Sequence, residues 1–573
     1  MLELDRPGDA LALDAGPRLG TVVSVDANHI LVALEAAAPS QVSVSDVVAM
    51  PAGDSYLIGL ALGLARTGGL GGSDVTMRIM PVGTFHPIQG QGGTFRVGAS
   101  RFPHIDAGCH LLEGEQLRGF MSVLGHDVPP EERLVLGRYM ADRETPAVAD
   151  ANRLLQRHVA VLGNTGAGKS WTIATLLERA AALRHSNLVV LDLHGEYAPL
   201  TRSTDGATPI ARGLRIAGPA DLLFAGDDVL HIPYWLLERE ELLSLVLNED
   251  DPFASDQRLC LGDRVQTLKR AALAEMGKSD AVATATADSP VPYSLEHLLN
   301  WLARDEVETI VRQPSGRVDP GPYAGKLGGL ISRFQARVAD PRYAFIFHTP
   351  GAVERGDWLV DTAEILMTAG QAENGIKVID LSEVPTPILP MVTGVLARLI
   401  YNLQFWMPAE DRTPVCIVCD EAHTYLPAGA HVSPVHRAAL EAFEMIAKEG
   451  RKYGVCLAVI SQRPSDVSRT ILSQCNNFIV MRLTNDEDQD VVSRLVSGAF
   501  SGVSAVLPML DVGEVLVIGD ALLLPLRIKV DPPTIAPDSA TMPYWSLWGT
   551  KPSDRKAIVA GVEALRNQWR GID

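Results

Sequence analysis

The chain has 573 residues, 47% of them hydrophobic and 21% charged, with a formal net charge of −19. That length exceeds a single hydrophobic core and predicts about 3–4 domains of globular rather than disordered character. The acidic balance excludes a general polyanion binder, and no apolar run reaches the ~18 residues of a membrane span.

The opening Met1-Leu-Glu-Leu-Asp-Arg6 lacks a basic n-region and a signal-like apolar stretch, and the six cysteines (Cys109, Cys260, Cys416, Cys419, Cys456, Cys475) mostly sit in apolar runs. Both features predict a cytoplasmic protein with reduced core thiols. Cys416-Ile-Val-Cys419 spells C-x-x-C, but it lies inside an apparent buried strand and has no partner pair, which argues against zinc.

Residues 1–140 read as a small β-barrel. Short β-type runs (Gly20–Val25, Ile30–Leu34, Val47–Met50, Val75–Ile79) alternate with turn clusters such as Asp26-Ala-Asn28, and glycine-rich stretches at 68–72 and 90–93 mark loops. His86, His104, His110 and His126 are too scattered to suggest a metal site.

A first part of an α/β core is expected over 141–202. Val159-Ala-Val-Leu162 is an apolar strand, and Gly163-Asn-Thr-Gly-Ala-Gly-Lys-Ser170 fills every fixed position of G-x-x-x-x-G-K-[ST]. Trp171–Glu178 then has helical spacing. Glycines let backbone N–H groups turn onto phosphate oxygens, and the helix adds its positive N-terminus. ATP is therefore expected along Gly163, Asn164, Thr165, Gly166, Ala167, Gly168, Lys169, Ser170 and Trp171, with Lys169 on the β/γ-phosphates and Ser170 on Mg²⁺. A second strand, Asn187–Tyr197, ends in Asp192 and Glu196, which either hold a metal-bound water or form a polar strand end.

Residues 203–370 read as a mostly helical insertion, with amphipathic segments at Ala220–Leu245, Arg258–Glu275 and Ser294–Val311. Arg312, Arg317, Lys326, Arg333, Arg337 and Arg342 form a basic stretch, either a solvated face or a phosphate contact.

The second part of the core is expected over 371–530. It begins at Gly375–Leu381, and Val415-Cys-Ile-Val-Cys-Asp-Glu-Ala-His423 is an apolar strand ending in two carboxylates. Asp420 is suited to the Mg²⁺ shell and Glu421 to polarising the attacking water. Helical Leu440–Lys448 leads to Glu449-Gly-Arg-Lys-Tyr-Gly454 and the strand Val455–Ile460, after which Gln462 is placed to sense a γ-phosphate or is a plain polar strand end. Asn477–Leu483 brings the sheet to five or more strands. The final 531–573 reads as a proline-rich strap and a helix with Ile558, Val562, Leu565 and Trp569 on one face, docked on its own chain or on a partner.

Asp-Glu-Ala-His could suggest a helicase with two successive cores, but only about 150 residues follow Asp420. With one core per chain, a charge-neutralising arginine must come from a neighbouring subunit, which predicts an oligomeric ring.

The chain resembles the HerA family of hexameric DNA-translocating ATPases, related to the FtsK motors. The resemblance rests on Arg157-His158, Gly163–Ser170, Asp192-Leu-His-Gly-Glu-Tyr197, Asp420–His423, Glu449–Gly454, Ser461-Gln-Arg-Pro-Ser465, Leu472–Asn476 and Leu510–Gly519. It implies a RecA-like P-loop ATPase core behind an N-terminal barrel, and a homo-hexamer with duplex DNA in its channel. By position, Arg451 is the arginine finger; pairing with Glu449 or Glu444 is the other reading. Such rings work with an effector: the NurA nuclease in archaea, and nuclease-type or NAD-consuming partners in bacterial antiviral defence. A DNA-translocating helicase is thus expected. An ATP-gated scaffold that activates an effector is the alternative, and a secretion or conjugation ATPase lacks the anchor it would need.

Overall fold

The computed structural model describes residues 9–36, 38–67, 74–203, 208–218, 221, 226, 228–313, 315–355, 357–371, 375–429, 433–496, 505–539, 542–550 and 554–567. The expected N-terminal hexapeptide, the glycines at 68–72 and Trp569 lie outside these residues.

The first seven strands are β1 (Arg18–Val25), β2 (Ile30–Leu34), β3 (Val47–Ala52), β4 (Ser55–Thr67), β5 (Asp74–Ile88), β6 (Gly92–Val97) and β7 (Gly108–Leu111). Their order β2-β1-β7-β3-β4-β5, with β2 also paired to β5, closes a six-stranded barrel to which β6 adds at β5. Alternating apolar residues (Leu19, Val22, Ile30, Val32, Met50, Ile79) fill the interior. Helix α1 (Gly114–His126) sets Phe120 edge-on against Phe85 and Phe95, with ring centroids 5.6 Å apart in each pair.

The barrel leads directly into the core sheet. Strands β8 (Arg133–Tyr139) and β9 (Pro146–Asp150) belong to that sheet, so the passage between domains falls at Arg133, before the expected position 140. Helix α2 (Ala151–Gln156) follows, then β10 (Val159–Leu162), α3 (Lys169–Ala181), β11 (Leu188–Asp192), β12 (Arg212–Ile216) and β13 (Val229–Leu230). The insertion contributes α4 (Arg239–Val246), α5 (Ala254–Glu275), α6 (Ser279–Thr284), α7 (Leu295–Glu306), a β14–β15 hairpin (Thr309–Arg312, Arg317–Pro320), α8 (Gly328–Ala339), α9 (Ala344–Phe347) and α10 (Trp358–Met367). The core resumes with β16 (Ile376–Asp380), α11 (Leu389–Trp406), β17 (Val415–Cys419), α12 (Pro434–Tyr453), β18 (Val455–Ser461), α13 (Arg469–Ser473), β19 (Asn477–Val480), α14 (Asp486–Leu495), β20 (Glu514–Gly519) and β21 (Leu526–Val530).

Twelve strands form one sheet, β13-β12-β16-β11-β17-β18-β10-β19-β20-β21-β8-β9. From β13 to β19 every neighbouring pair is parallel; β20, β21, β8 and β9 extend the sheet antiparallel. The parallel strands are near-continuous apolar runs because helices cover both faces. Residues 212–230, expected in the helical insertion, instead give β12 and β13 to the sheet edge; both strands are too short and charge-flanked to announce themselves as buried.

A buried ion pair fastens the insertion to the core. The Arg398 guanidinium of α11 donates to both Glu241 carboxylate oxygens (2.8 and 2.7 Å) and to the Leu236 carbonyl (3.0 Å). Both side chains are over nine-tenths buried. Arg398→Ala should leave Glu241 charged and unpaired in the interior, lowering stability by about 3–5 kcal/mol, whereas Arg398→Met with Glu241→Leu should recover most of the loss. Denaturant midpoints of the two variants measure this; an unchanged midpoint in Arg398→Ala would show that the pair does not hold the junction.

Five residues of the expected basic stretch bond within the insertion. Arg333 and Arg337 donate to the Val246 and Leu245 carbonyls (2.9 and 3.1 Å), and Arg317, Lys326 and Arg342 pair with Asp319, Asp256 and Asp340. The strap also docks on its own core: Glu178 of α3 accepts from the Thr534 and Ile535 N–H groups (2.9 and 2.6 Å). The last two helices, α15 (Tyr544–Thr550) and α16 (Arg555–Asn567), do not. Of the expected stripe, Ile558, Val562 and Leu565 are exposed, so none of the described residues of this chain buries them.

Candidate nucleotide-binding site

The phosphate loop is formed where β10 stops. Gly166 and Gly168 adopt φ of 76° and 100°, the left-handed region that glycine enters freely. At Gly163 a Cβ would lie 2.6 Å from Met481 Cβ, so only glycine fits against β19's continuation. The loop is tied down on three sides. Asn164 donates its N–H to the Arg482 carbonyl (3.0 Å) and its amide to Thr484 Oγ1 (2.6 Å), and the Gly513 N–H donates to the Ala167 carbonyl (3.0 Å). Ser170 sits in the first turn of α3, and Trp171, 46% exposed, flanks the loop.

Strand β17 delivers the carboxylates two strands away from β10, with β18 between them. Glu421 follows directly in a left-handed conformation, φ 42°, which is costly for a residue with a Cβ and turns its side chain away from the continuing strand. Its carboxylate forms an ion pair with Lys169 Nζ and lies 3.3 Å from His423 Nδ1. Asp420 is 1% exposed; burial pushes its carboxyl up to about 8, opposed by the Lys169 ammonium. From the end of β18, Gln462 Oε1 accepts from Thr165 Oγ1 (2.5 Å), so its amide is held at the tip of the loop.

Mg²⁺ with ATP fits this donor set. Asp420 Oδ2 and Glu421 Oε2 are buried without hydrogen-bond partners, beside Lys169, and Ser170 is the next residue of α3. Mg²⁺ is commonly held by one or two protein oxygens plus substrate phosphates and water, and Asp420 with Ser170 would supply that protein share.

Lys169, Asp420, Glu421 and Gln462 thus come together at the C-terminal edge of the parallel strands. Asp192 does not join them as a water-holder: its carboxylate accepts the N–H groups of His194, Glu196 and Tyr197 (3.3, 3.1 and 2.9 Å) and fixes the turn after β11. Sequence reasoning passed over His423 as a functional group. Its sole signal was its place in the Asp-Glu-Ala-His string, and only the fold shows its ring against both Glu421 and Ser461 (3.4 Å to Oγ).

Arg451 lies apart. It is in the last turn of α12, which ends at Gly454 (φ 77°), so the expected polar run Glu449–Lys452 is helical. Because α12 runs back antiparallel to the strands, Arg451 sits at their N-terminal edge, on the order of 15–20 Å from the phosphate loop at ~3.3 Å per residue. It is exposed and makes no ion pair with any described residue. Glu444 is engaged by Lys448 and Ser468 (3.2 and 3.0 Å), and Glu449 acts on the Tyr401 phenol, so neither pairs with Arg451.

Residues 134–400 match the family model described as "Helicase HerA, central domain". That stretch is thus similar to the central domain of HerA helicases. The chain is 26% identical over 414 residues to the "DNA double-strand break repair helicase HerA" of Pyrococcus furiosus, covering 66% of each chain. It is 29% identical over 385 residues to the protein of that name from Sulfurisphaera tokodaii, covering 66% of this chain and 65% of the relative. The chain thus spans about two-thirds of the length of these curated relatives. Among solved structures, VirB4 of Thermoanaerobacter pseudethanolicus is similar at 19% identity and a TM-score of 0.45, covering 73% of this chain and 99% of that one. The conjugative coupling protein TrwB follows at 15% and 0.43, covering 75% and 94%.

Proposed function

We propose that this chain is a HerA-family ATP hydrolase that assembles as a homo-hexameric ring and translocates duplex DNA through its channel. The observation that carries the reading is the split of its catalytic parts: a water-activating set at one sheet edge and an unpaired arginine at the other. A head-to-tail ring brings the two edges of adjacent copies together.

Lys169 and the loop N–H groups bind the β- and γ-phosphates, and Ser170 with Asp420 would hold Mg²⁺, which would supply positive charge to the phosphoryl oxygens. Glu421 takes the proton of the attacking water, and His423 orients its carboxylate. Gln462, anchored on Thr165, contacts the γ-phosphate. Arg451 of the next copy meets charge developing on the leaving phosphate. The relatives' printed names, DNA repair helicases, favour DNA as the track. Among the described residues no helix is long and apolar enough to cross a membrane, which accords with a cytoplasmic ring. A nuclease or NAD-consuming effector completes the proposal, in DNA end processing or antiviral defence.

Duplex DNA should stimulate ATP hydrolysis several-fold; an unresponsive ATPase would favour the scaffold reading instead. Two exposed arginines are candidates to face DNA: Arg437, in the first turn of α12, and Arg469, at the start of α13. Arg463 pairs with Asp466 (3.0 Å) instead. Arg437→Ala with Arg469→Ala should weaken DNA binding and reduce the salt slope by about 0.9 per lost phosphate contact. Unchanged affinity and slope would remove both residues from the DNA path.

A further inference from the structure

The turn after β11 carries a buried phenol to the catalytic carboxylates. Strands β11 and β17 pair in parallel up to Leu191 and Cys419, and the Asp420 N–H donates to the Leu191 carbonyl (3.3 Å). Asp192 and Asp420 therefore end adjacent strands side by side. Beyond Asp192 the chain reverses through Gly195 at φ 71°, a conformation glycine adopts freely. Of the three backbone N–H groups that the Asp192 carboxylate accepts, the one from Tyr197 is the shortest, at 2.9 Å. The turn thus fixes the residue that carries the phenol.

Tyr197 is fully buried, and its Oη has no hydrogen-bond partner among the described residues. Burial pushes the phenol well above its ordinary range, and the carboxylates of Asp420, Glu196, Asp192 and Glu421, in that order, push it further. At ordinary pH it is therefore an O–H donor, and Asp420 is the charge it feels most. Asp420 Oδ2 and Glu421 Oε2 are buried and lack partners as well. One donor and two acceptors, all sealed from bulk solvent, thus lie within electrostatic reach of one another. Buried polar groups in native proteins are nearly always hydrogen-bonded. A single water has the matching valence: it accepts from the phenol and donates a proton to each carboxylate, making the about three bonds typical of an interior water.

We propose that Tyr197 is a positioning residue for Mg²⁺: through one bridging water, its O–H holds the Asp420 carboxylate in the orientation that takes the ion, with Glu421 Oε2 as the water's other acceptor. Carboxylates that ligate metals are themselves hydrogen-bonded, and that outer contact sets where the ligating oxygen points. The turn built by Asp192 serves this contact, because it places the phenol beside the neighbouring strand's end. The proposal rests on the reading of Asp420 as the Mg²⁺ ligand and adds the group that aims it.

The test needs no turnover. Mg²⁺ is titrated into the full chain with a fluorescent ATP analogue, and nucleotide affinity is followed as free Mg²⁺ rises. Wild type should bind the analogue more tightly with Mg²⁺, and Asp420→Ala should abolish that gain. Tyr197→Phe removes the hydroxyl and keeps the ring. It should raise the Mg²⁺ concentration for half of the gain about tenfold to a hundredfold, the usual cost of losing an outer contact to a metal ligand. Its affinity without Mg²⁺ and its thermal midpoint should stay near wild type, which shows that loop and fold are intact. Tyr425→Phe is the control: that phenol is also fully buried and unpartnered among the described residues, but its strongest titratable neighbour is the Cys419 thiol. It should leave the Mg²⁺ dependence unchanged. A Tyr197→Phe titration that superimposes on wild type, while Asp420→Ala loses its gain, would overturn the proposal and leave Asp420 as the ligand. An equal loss in Tyr425→Phe would overturn it too, since any buried hydroxyl would then do. A wild-type affinity indifferent to Mg²⁺ would instead end the reading of Asp420, and the proposal with it.

Discussion

Glu421→Gln should bind ATP and assemble normally yet hydrolyse at least ~10²-fold more slowly, the usual scale of losing a general base. The substitution keeps the side chain's length and the backbone turn at Glu421, so the phosphate loop, Ser170 and Asp420 are undisturbed. What it removes is the negative charge facing Lys169 and His423. A neutral amide cannot accept the water's proton. Lys169→Ala should behave differently, weakening nucleotide binding itself, because that ammonium is the cation the loop offers to phosphate. Single-turnover hydrolysis and equilibrium binding separate the two variants. Turnover within a few-fold of wild type in Glu421→Gln would end its assignment as the base.

Arg451→Ala should lower the rate by ~10³-fold or more in assembled rings, the contribution typical of an arginine finger, while a surface charge contributes almost nothing. The geometry sharpens this expectation: Arg451 is separated from its own phosphate loop by the length of the parallel strands, so any effect on hydrolysis must act between copies. Mixing Lys169→Ala subunits with Arg451→Ala subunits should restore part of the activity, since some interfaces then pair an intact loop with an intact arginine. Hydrolysis by Arg451→Ala alone at the wild-type rate would dismiss it as the finger.

The sequence announced the site's chemistry more fully than its setting. Gly163–Ser170 and Asp420–Glu421 could be read directly because phosphate binding and water activation demand particular residue types at fixed offsets. Gln462 was legible as a polar residue at a strand end, but only its bond to Thr165 reveals that the loop positions it. Asp192 could be read as a water-holder or as a polar strand end, since a carboxylate that accepts three backbone N–H groups, as it does, has the same one-letter signature as one that faces substrate. The strands β12 and β13 were hidden by their brevity. The basic stretch of the insertion stayed open between two readings because charge in sequence does not show which arginines already have carbonyls and carboxylates as partners. Strand order was beyond reach altogether, since β8 and β21, Tyr139 opposite Ile528, pair across about two-thirds of the chain.

That last pairing bears on how the protein is made. Tyr139 on β8 waits for Ile528 on β21, so the β8–β9 hairpin, synthesised early, presents an unpaired edge until nearly all of the chain has been translated. The brace on the phosphate loop, from Gly513 to Ala167, arrives equally late. The nucleotide site is thus among the last parts of the molecule to be completed. A nascent or prematurely terminated chain that stops before Asp511 carries every residue of the catalytic set without the segment that holds the loop in shape.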